Sequence, residues 1–138
     1  MNWVHWAMLS AVFAGITAVL AKAGTQGVEP NLATAFRTTV VLILSWGIVL
    51  VAGNPEWKTL SGRAGVFLIL SGLATGLSWL CYFRALHLGE ASSVAPLDKL
   101  SVVFAIALAA IFLGERLVWQ HWVGGVLIVV GAVLIATK

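Results

Sequence analysis

Apolar residues run along this chain in five long blocks, each closed by a short cluster of Gly, Pro or charged residues. A membrane-spanning helix needs about 20 mostly apolar residues. Five stretches qualify: 3–23, 31–52, 63–88, 91–113 and 119–137. The first has no charged residue before Lys22, and Trp3 and Trp6 suit a membrane interface. A secretory signal is the competing reading, because Ala21-Lys22-Ala23 mimics a cleavage site. No Lys or Arg precedes the run, however, and it is longer than a signal core, so a retained helix is expected. Glu29-Pro30 opens the second span and Gly53-Asn54-Pro55 closes it. Proline suits a helix's first turn and the turn beyond its end. Leu88-Gly89-Glu90 and Leu113-Gly114-Glu115 each put Gly just past a helix, where left-handed backbone is expected, and an acid near the start of the next. The fifth span opens on Trp119 and Trp122 and ends at Lys138, and the only loop of any size is Gly53 to Gly62. The expected fold is all-α, a five-transmembrane-helix bundle forming a single domain over 1–138.

Composition agrees with the pattern. The chain is 61% hydrophobic and 9% charged, against about 25% charged in an ordinary soluble domain. A chain of 138 residues cannot enclose enough core to hide that much apolar surface from water. Lipid is the remaining solvent. A net charge of +3 would suggest a nucleic-acid partner in a soluble protein. Here the Lys and Arg stand singly, mostly at helix ends, as snorkelling anchors do, so no nucleic-acid partner is expected. Cys81 is the lone cysteine and rules out an internal disulfide.

The stretch Pro96-Leu97-Asp98-Lys99-Leu100-Ser101 through Phe112-Leu113-Gly114-Glu115-Arg116-Leu117 and the Gly-rich last helix, Gly124-Gly125-Val126-Leu127-Ile128-Val129-Val130-Gly131-Ala132, carry a resemblance. Together they resemble the EamA-like branch of the drug/metabolite transporter superfamily, and the five-span pattern fits over nearly the whole chain. Most members of that branch have ten helices, built as two five-helix halves of opposite orientation. The resemblance therefore implies transport, and one half of a ten-helix inverted-repeat fold. Its motifs are loose and do not indicate a substrate.

Threading the chain through a membrane gathers its polar residues. If the N-terminus lies on side A, helices 1, 3 and 5 run toward side B and helices 2 and 4 run back. Arg37 then lies roughly 8 Å from side B and Asp98 roughly 10 Å, at about 1.5 Å per residue. Tyr82 and Thr17 fall at a similar depth. Ionisable groups inside a span cost about 2.5–3.5 kcal/mol each on insertion scales and are functional candidates. Three roles compete: a structural ion pair of Arg37 with Asp98, direct binding of a substrate or ion, and snorkelling of Arg37 toward side B. The two are expected within one side chain's reach, facing the bundle interior. Lys99 stands about 100° around the helix from Asp98 and is expected to face elsewhere, toward a partner chain or the interface.

Helix 3 carries two stripes. Ser71, Thr75, Ser78 and Tyr82 share one face; beside it run Gly72, Gly76, Trp79 and Phe83. Ser10 and Thr17 share a face of helix 1, as do Thr34, Thr38 and Ser45 on helix 2. Such hydroxyls commonly bond back to their own helix or across to a neighbour. Around Arg37 and Asp98, a solvated cavity is equally in keeping with them. The candidate substrate or ion-binding residues are Arg37, Asp98, Lys99, Tyr82, Trp79, Ser78 and Thr17, with Trp79 and Tyr82 stacking on an aromatic or amphipathic substrate.

Enzyme chemistry finds no support: His5, His87 and His121 lie apart at span ends, and there is no phosphate loop or nucleophile–base spacing. No cofactor and no metal are expected. The readings that compete are a gradient-driven transporter of a small metabolite, a subunit flipping lipid-linked sugars as short relatives in that superfamily do, and a non-transporting membrane adaptor. A multi-pass protein of a prokaryotic inner membrane is expected, with lipid and a small-molecule substrate as partners.

Orientation follows the Lys and Arg of the loops. Side A has Lys58, Arg63 and Arg116; side B has Lys22, Arg84 and Lys138. This tie leaves insertion undecided and allows both orientations, and with them an antiparallel homodimer; the competing reading is a single orientation, N-terminus inside, with a parallel dimer or a heterologous partner. Gly124, Gly131, Ala132 and Ala136 offer small residues for its seam.

Overall fold

The computed structural model describes residues 2–53 and 60–137. Among them are six helices: α1 (Trp3–Gly24), α2 (Pro30–Ala52), α3 (Gly62–Leu88), α4 (Ala91–Asp98), α5 (Ser101–Phe112) and α6 (Trp119–Ala136). Taken as Trp3–Gly24, Pro30–Ala52, Gly62–Leu88, Ala91–Phe112 and Trp119–Ala136, they make five segments long and apolar enough to cross a membrane. The all-α five-span fold is therefore as expected, and the protein is an integral multi-pass membrane protein. Its apolar side chains point outward: Leu44, Leu70 and Leu127 each expose more than half their surface. Water would penalise an apolar surface of this extent, and lipid tails do not.

The fourth span is not the continuous helix 91–113 that hydropathy suggests. Pro96 is the sixth residue of α4, well past the first turn that tolerates it, and it has no N–H to give to the helix. In the turn that follows, Lys99 N–H donates to the Pro96 carbonyl at 3.1 Å and Leu100 N–H to the Leu97 carbonyl at 3.0 Å. These are bonds to the third residue back. The helix tightens, breaks and resumes as α5.

The ends separate two kinds of glycine. Gly114 has φ 67, and Glu115 N–H reaches back to the Ala109 carbonyl at 3.3 Å, the wrapped end that a left-handed residue permits. Gly53 closes α2 with φ 73, while Asn54 and Pro55 of that expected stop lie outside the described residues. So do Glu56, Lys58 and Lys138. Gly89 does not take the expected left-handed conformation. Its carbonyl instead accepts a 2.7 Å hydrogen bond from Lys22 Nζ, so Lys22 ties the end of α1 to the start of α4.

The chain forms two compact units, Met1–Ala23 with Leu88–Lys138, and Gly24–His87. In the first, α6 packs on α4 and α5. Gly125 and Ala132 are buried on the packed face, and a Cβ added at Gly125 would meet Val103 Cγ1 at 4.0 Å. That distance is ordinary contact. Gly125→Ala should therefore melt within about 1 kcal/mol of the parent, since Ala also favours helix. Gly125→Leu should lose about 1–3 kcal/mol by overpacking. Thermal melts in detergent check this, and a Leu variant as stable as the parent would contradict the α5–α6 packing. In the second unit Pro30, Thr34, Phe83 and Leu86 are buried.

Candidate functional site

The second unit builds its site from the cap of α2 inward. Glu29 precedes the helix in extended backbone, and its carboxylate accepts from Asn31 N–H at 3.0 Å and Leu32 N–H at 2.8 Å. These two amides hold the carboxyl below its ordinary pKa, with Arg84 and His87 adding a weaker pull. With its N-terminus fixed and Pro30 buried, α2 carries Arg37 about 10 Å into the span, seven residues on.

Arg37 is half-buried there, its guanidinium carbon 4.3 Å from the centroid of Trp79 and 5.5 Å from that of Phe83. Trp79 and Phe83 stand one helical turn apart on α3, so together they form one aromatic wall. Phe83 is 3% exposed, and Tyr82 meets it edge-on with centroids 6.4 Å apart. It is thus the Gly72–Phe83 stripe whose rings stack on Arg37, with Tyr82 of the neighbouring hydroxyl stripe also interacting with it.

The hydroxyls are occupied locally. Thr34 Oγ1 donates to Pro30, Thr38 Oγ1 to Thr34, Thr39 Oγ1 to Ala35, Ser45 Oγ to Val41 and Thr75 Oγ1 to Ser71, all to carbonyls one turn back. Their protons serve the helix. Ser78 is exposed on α3.

In the first unit, Asp98 and Lys99 sit at the α4–α5 break. Lys99 Nζ lies 3.3 Å from Asp98 Oδ2, with the side chains 56% and 35% exposed respectively. The expectation that Lys99 faces away from Asp98 is therefore corrected: the tightened turn pairs the neighbours. Thr17 is half-buried on α1. Arg37 and Asp98 thus each have a partner within their own unit.

Among the expected seam residues, Ala132 is 4% exposed and lines a cleft with Pro96, Lys99 and Ile128, so it belongs to the packing of α6 on α4. Gly124 and Gly131 share another face of α6, and no atom lies within 4 Å of where a Cβ would stand on either. Ala136 is half-buried. Three features of these sites go beyond the sequence expectations. The Phe83 contact has a signal in the chain, as the residue one turn beyond Trp79, and the α4–α5 break has one in Pro96. An open apolar cleft of about 260 Å³ between α5 and α6, edged by His121 and Trp122, has no polar signal to betray it.

Compared with known proteins, the chain matches the EamA-like transporter family over residues 1–137. It is 49% identical over 138 residues to a Sinorhizobium protein named as an uncharacterized transporter in the cobO 3′ region, covering 98% of this chain and 96% of that one. It is 27% identical over 135 residues to an uncharacterized protein of Methanocaldococcus jannaschii, covering 94% and 92%. It is also 30% identical over 136 residues to a "probable terminal-alkyne amino-acid exporter" of Streptantibioticus cattleyicolor, covering 95% of this chain but 44% of the exporter. No solved structure matches.

Proposed function

Because this chain belongs to the EamA-like transporter family, we propose that it is a secondary, gradient-driven carrier of a small organic metabolite or amphipathic compound, working as a dimer of two copies in a prokaryotic inner membrane. The observation that carries this reading is the pair of alignment lengths. The chain spans 96% of one relative but only 44% of the exporter, so the longer protein holds more than a second chain's length beyond the match. We infer that two short chains together supply what the longer one has in a single polypeptide. Carriers built from inverted repeats bind substrate near the midplane and alternate access by rocking one repeat against the other. The sequence has no nucleotide-binding loop, which favours drive by a gradient.

The copies pair in opposite orientations. Side A carries Lys58, Arg63 and Arg116, side B carries Lys22, Arg84 and Lys138, and this tie permits both insertions. Gly124 and Gly131, open in the single chain, form the seam, with Ala136 extending it. A C-terminal reporter active on only one side of the membrane tests the orientation. Two signals of similar size are expected, and moving a single charge, such as Arg116, should swing their ratio several-fold. One strong signal indifferent to that charge would refute the antiparallel dimer. Transport itself is tested by flux of a metabolite library into liposomes holding the purified protein.

A further inference from the structure

We propose that the cleft between α5 and α6 holds one acyl chain of a glycerophospholipid, whose phosphate is received at the cleft mouth by His121 and Arg116. The site uses none of the candidate transport residues, so it goes beyond the transport reading and adds a resident lipid to the fold.

The depth of the cleft matches a single leaflet. It has about 260 Å³ of space and lies within one compact unit. Along α6 its lining runs from His121, near the helix start, to Val130, roughly 14 Å deeper at 1.5 Å per residue. On α5 it reaches Val103, about as far in from the helix end at Phe112. The hydrocarbon of one leaflet is about 15 Å thick, half of the bilayer's roughly 30 Å. The cleft therefore runs from the interface to the midplane, which is the course of an acyl chain. Its walls, Val103, Ile106, Val126 and Val129 among them, are apolar. Water needs polar partners to stay in such a space, and these walls have none to give.

A chain in the cleft gains nothing by leaving lipid, so its residence depends on packing and on the mouth. There His121 Nδ1 accepts from Val118 N–H at 3.2 Å, which leaves the ring proton on Nε2 as a donor. Trp122 brings an indole N–H to the same end of the cleft. Arg116, exposed in the segment before α6, brings a fixed charge. Donors at the end of a span meet the phosphate and ester oxygens of a lipid. Glu115 beside Arg116 is exposed as well and offsets its distant field, so the phosphate is held by contact rather than by net charge. A second copy is aimed elsewhere. The open face of Gly124 and Gly131 lies about half a turn around α6 from Val126 and Val129, at roughly 100° per residue. A dimer closed on that face leaves the cleft to lipid.

The test separates chain from phosphate. Full-length protein, stripped of lipid in neutral detergent, is titrated with dioleoylphosphatidylglycerol, with dioleoylglycerol or with glycerol 3-phosphate, and native mass spectrometry counts what stays bound. The phospholipid should saturate at one per chain. Dioleoylglycerol, which lacks the phosphate, should bind about tenfold more weakly, and glycerol 3-phosphate, which lacks the chains, should not bind. Ala107→Phe puts a ring into the cleft from an exposed position and should lower phospholipid affinity about tenfold by occupying the chain's place. Ala105→Phe, on the other side of α5, should leave it unchanged. Arg116→Gln, at an exposed position away from the packing, should weaken the phospholipid about fivefold and leave dioleoylglycerol as it was. That variant and the choice of probes decide the matter even if Ala107→Phe fails to fold. Binding that never saturates, or no phospholipid retained at all, would overturn the proposal. So would equal affinity for dioleoylglycerol, glycerol 3-phosphate bound as tightly as the lipid, or full affinity in a folded Ala107→Phe. Loss of the dimer in Ala107→Phe with lipid still bound would hand the cleft to a second copy.

Discussion

Cutting Trp79 back to alanine is expected to lower substrate flux by about 30-fold while the protein still inserts and folds. The indole lies under the Arg37 guanidinium at 4.3 Å, and a desolvated cation–π contact is worth about 2 kcal/mol. Each 1.4 kcal/mol or so is a factor of ten, which gives the fold-change. Without the ring, Arg37 keeps its charge but loses its position, and can snorkel toward the helix end. Trp79→Phe should recover part of the flux, because a phenyl face is a weaker cation partner than an indole. Phe83→Ala should behave differently. Its ring is 3% exposed and further from the guanidinium, at 5.5 Å. Its loss leaves a cavity and should cost about 1–3 kcal/mol of stability, below the range for water-soluble cores because the unfolded helices also sit in an apolar solvent. Flux per incorporated protein and thermal melts separate the two effects. Full flux in Trp79→Ala would remove Arg37 and its aromatic wall from the transport path.

What the sequence displays and what it hides divide along physical lines. The five spans are legible because a bilayer demands about 20 apolar residues in a row, and each run here is stopped by Gly, Pro or charge. Glu29-Pro30 and Gly114 act as their residue types require, as N-terminal cap and left-handed stop. The break in the fourth span is hidden from hydropathy, because the run from Ala91 to Phe112 keeps a mean hydropathy of 1.9 despite Asp98 and Lys99. Only Pro96 marks it. On α3 the periodicity defines two adjacent stripes, but not the rotation that decides which one stacks on Arg37. The aromatic stripe does, since it offers a ring face to a cation, while Thr75 of the other stripe turns its hydroxyl onto the Ser71 carbonyl. Gly89 departs from expectation because a glycine after a helix can serve through its carbonyl as well as through its φ, and here it receives Lys22. The small residues of α6 do not make one seam. The 3.6-residue period splits them between the buried face of Gly125 and Ala132 and the open face of Gly124 and Gly131.

The charges at the α4–α5 break lead to the second large effect. Asp98→Asn and Lys99→Gln are each expected to lower stability by about 1–3 kcal/mol, and the double variant to return to within about 1 kcal/mol of the parent. An unpaired charge inside a span costs about 2.5–3.5 kcal/mol on insertion scales, and a neighbouring opposite charge offsets much of this. Either single substitution removes the partner and leaves the other charge behind. Neutralising both removes the cost and the attraction together. The side chains are 56% and 35% exposed, so water entering at the break softens each single effect toward the low end of that range. The break itself should survive all three substitutions, because its bonds are backbone bonds, Lys99 to Pro96 and Leu100 to Leu97. Chemical unfolding in mild detergent, run as a double-mutant cycle, gives the coupling between the two charges directly. A double variant no more stable than the weaker single would mean that Asp98 and Lys99 do not balance each other in the membrane.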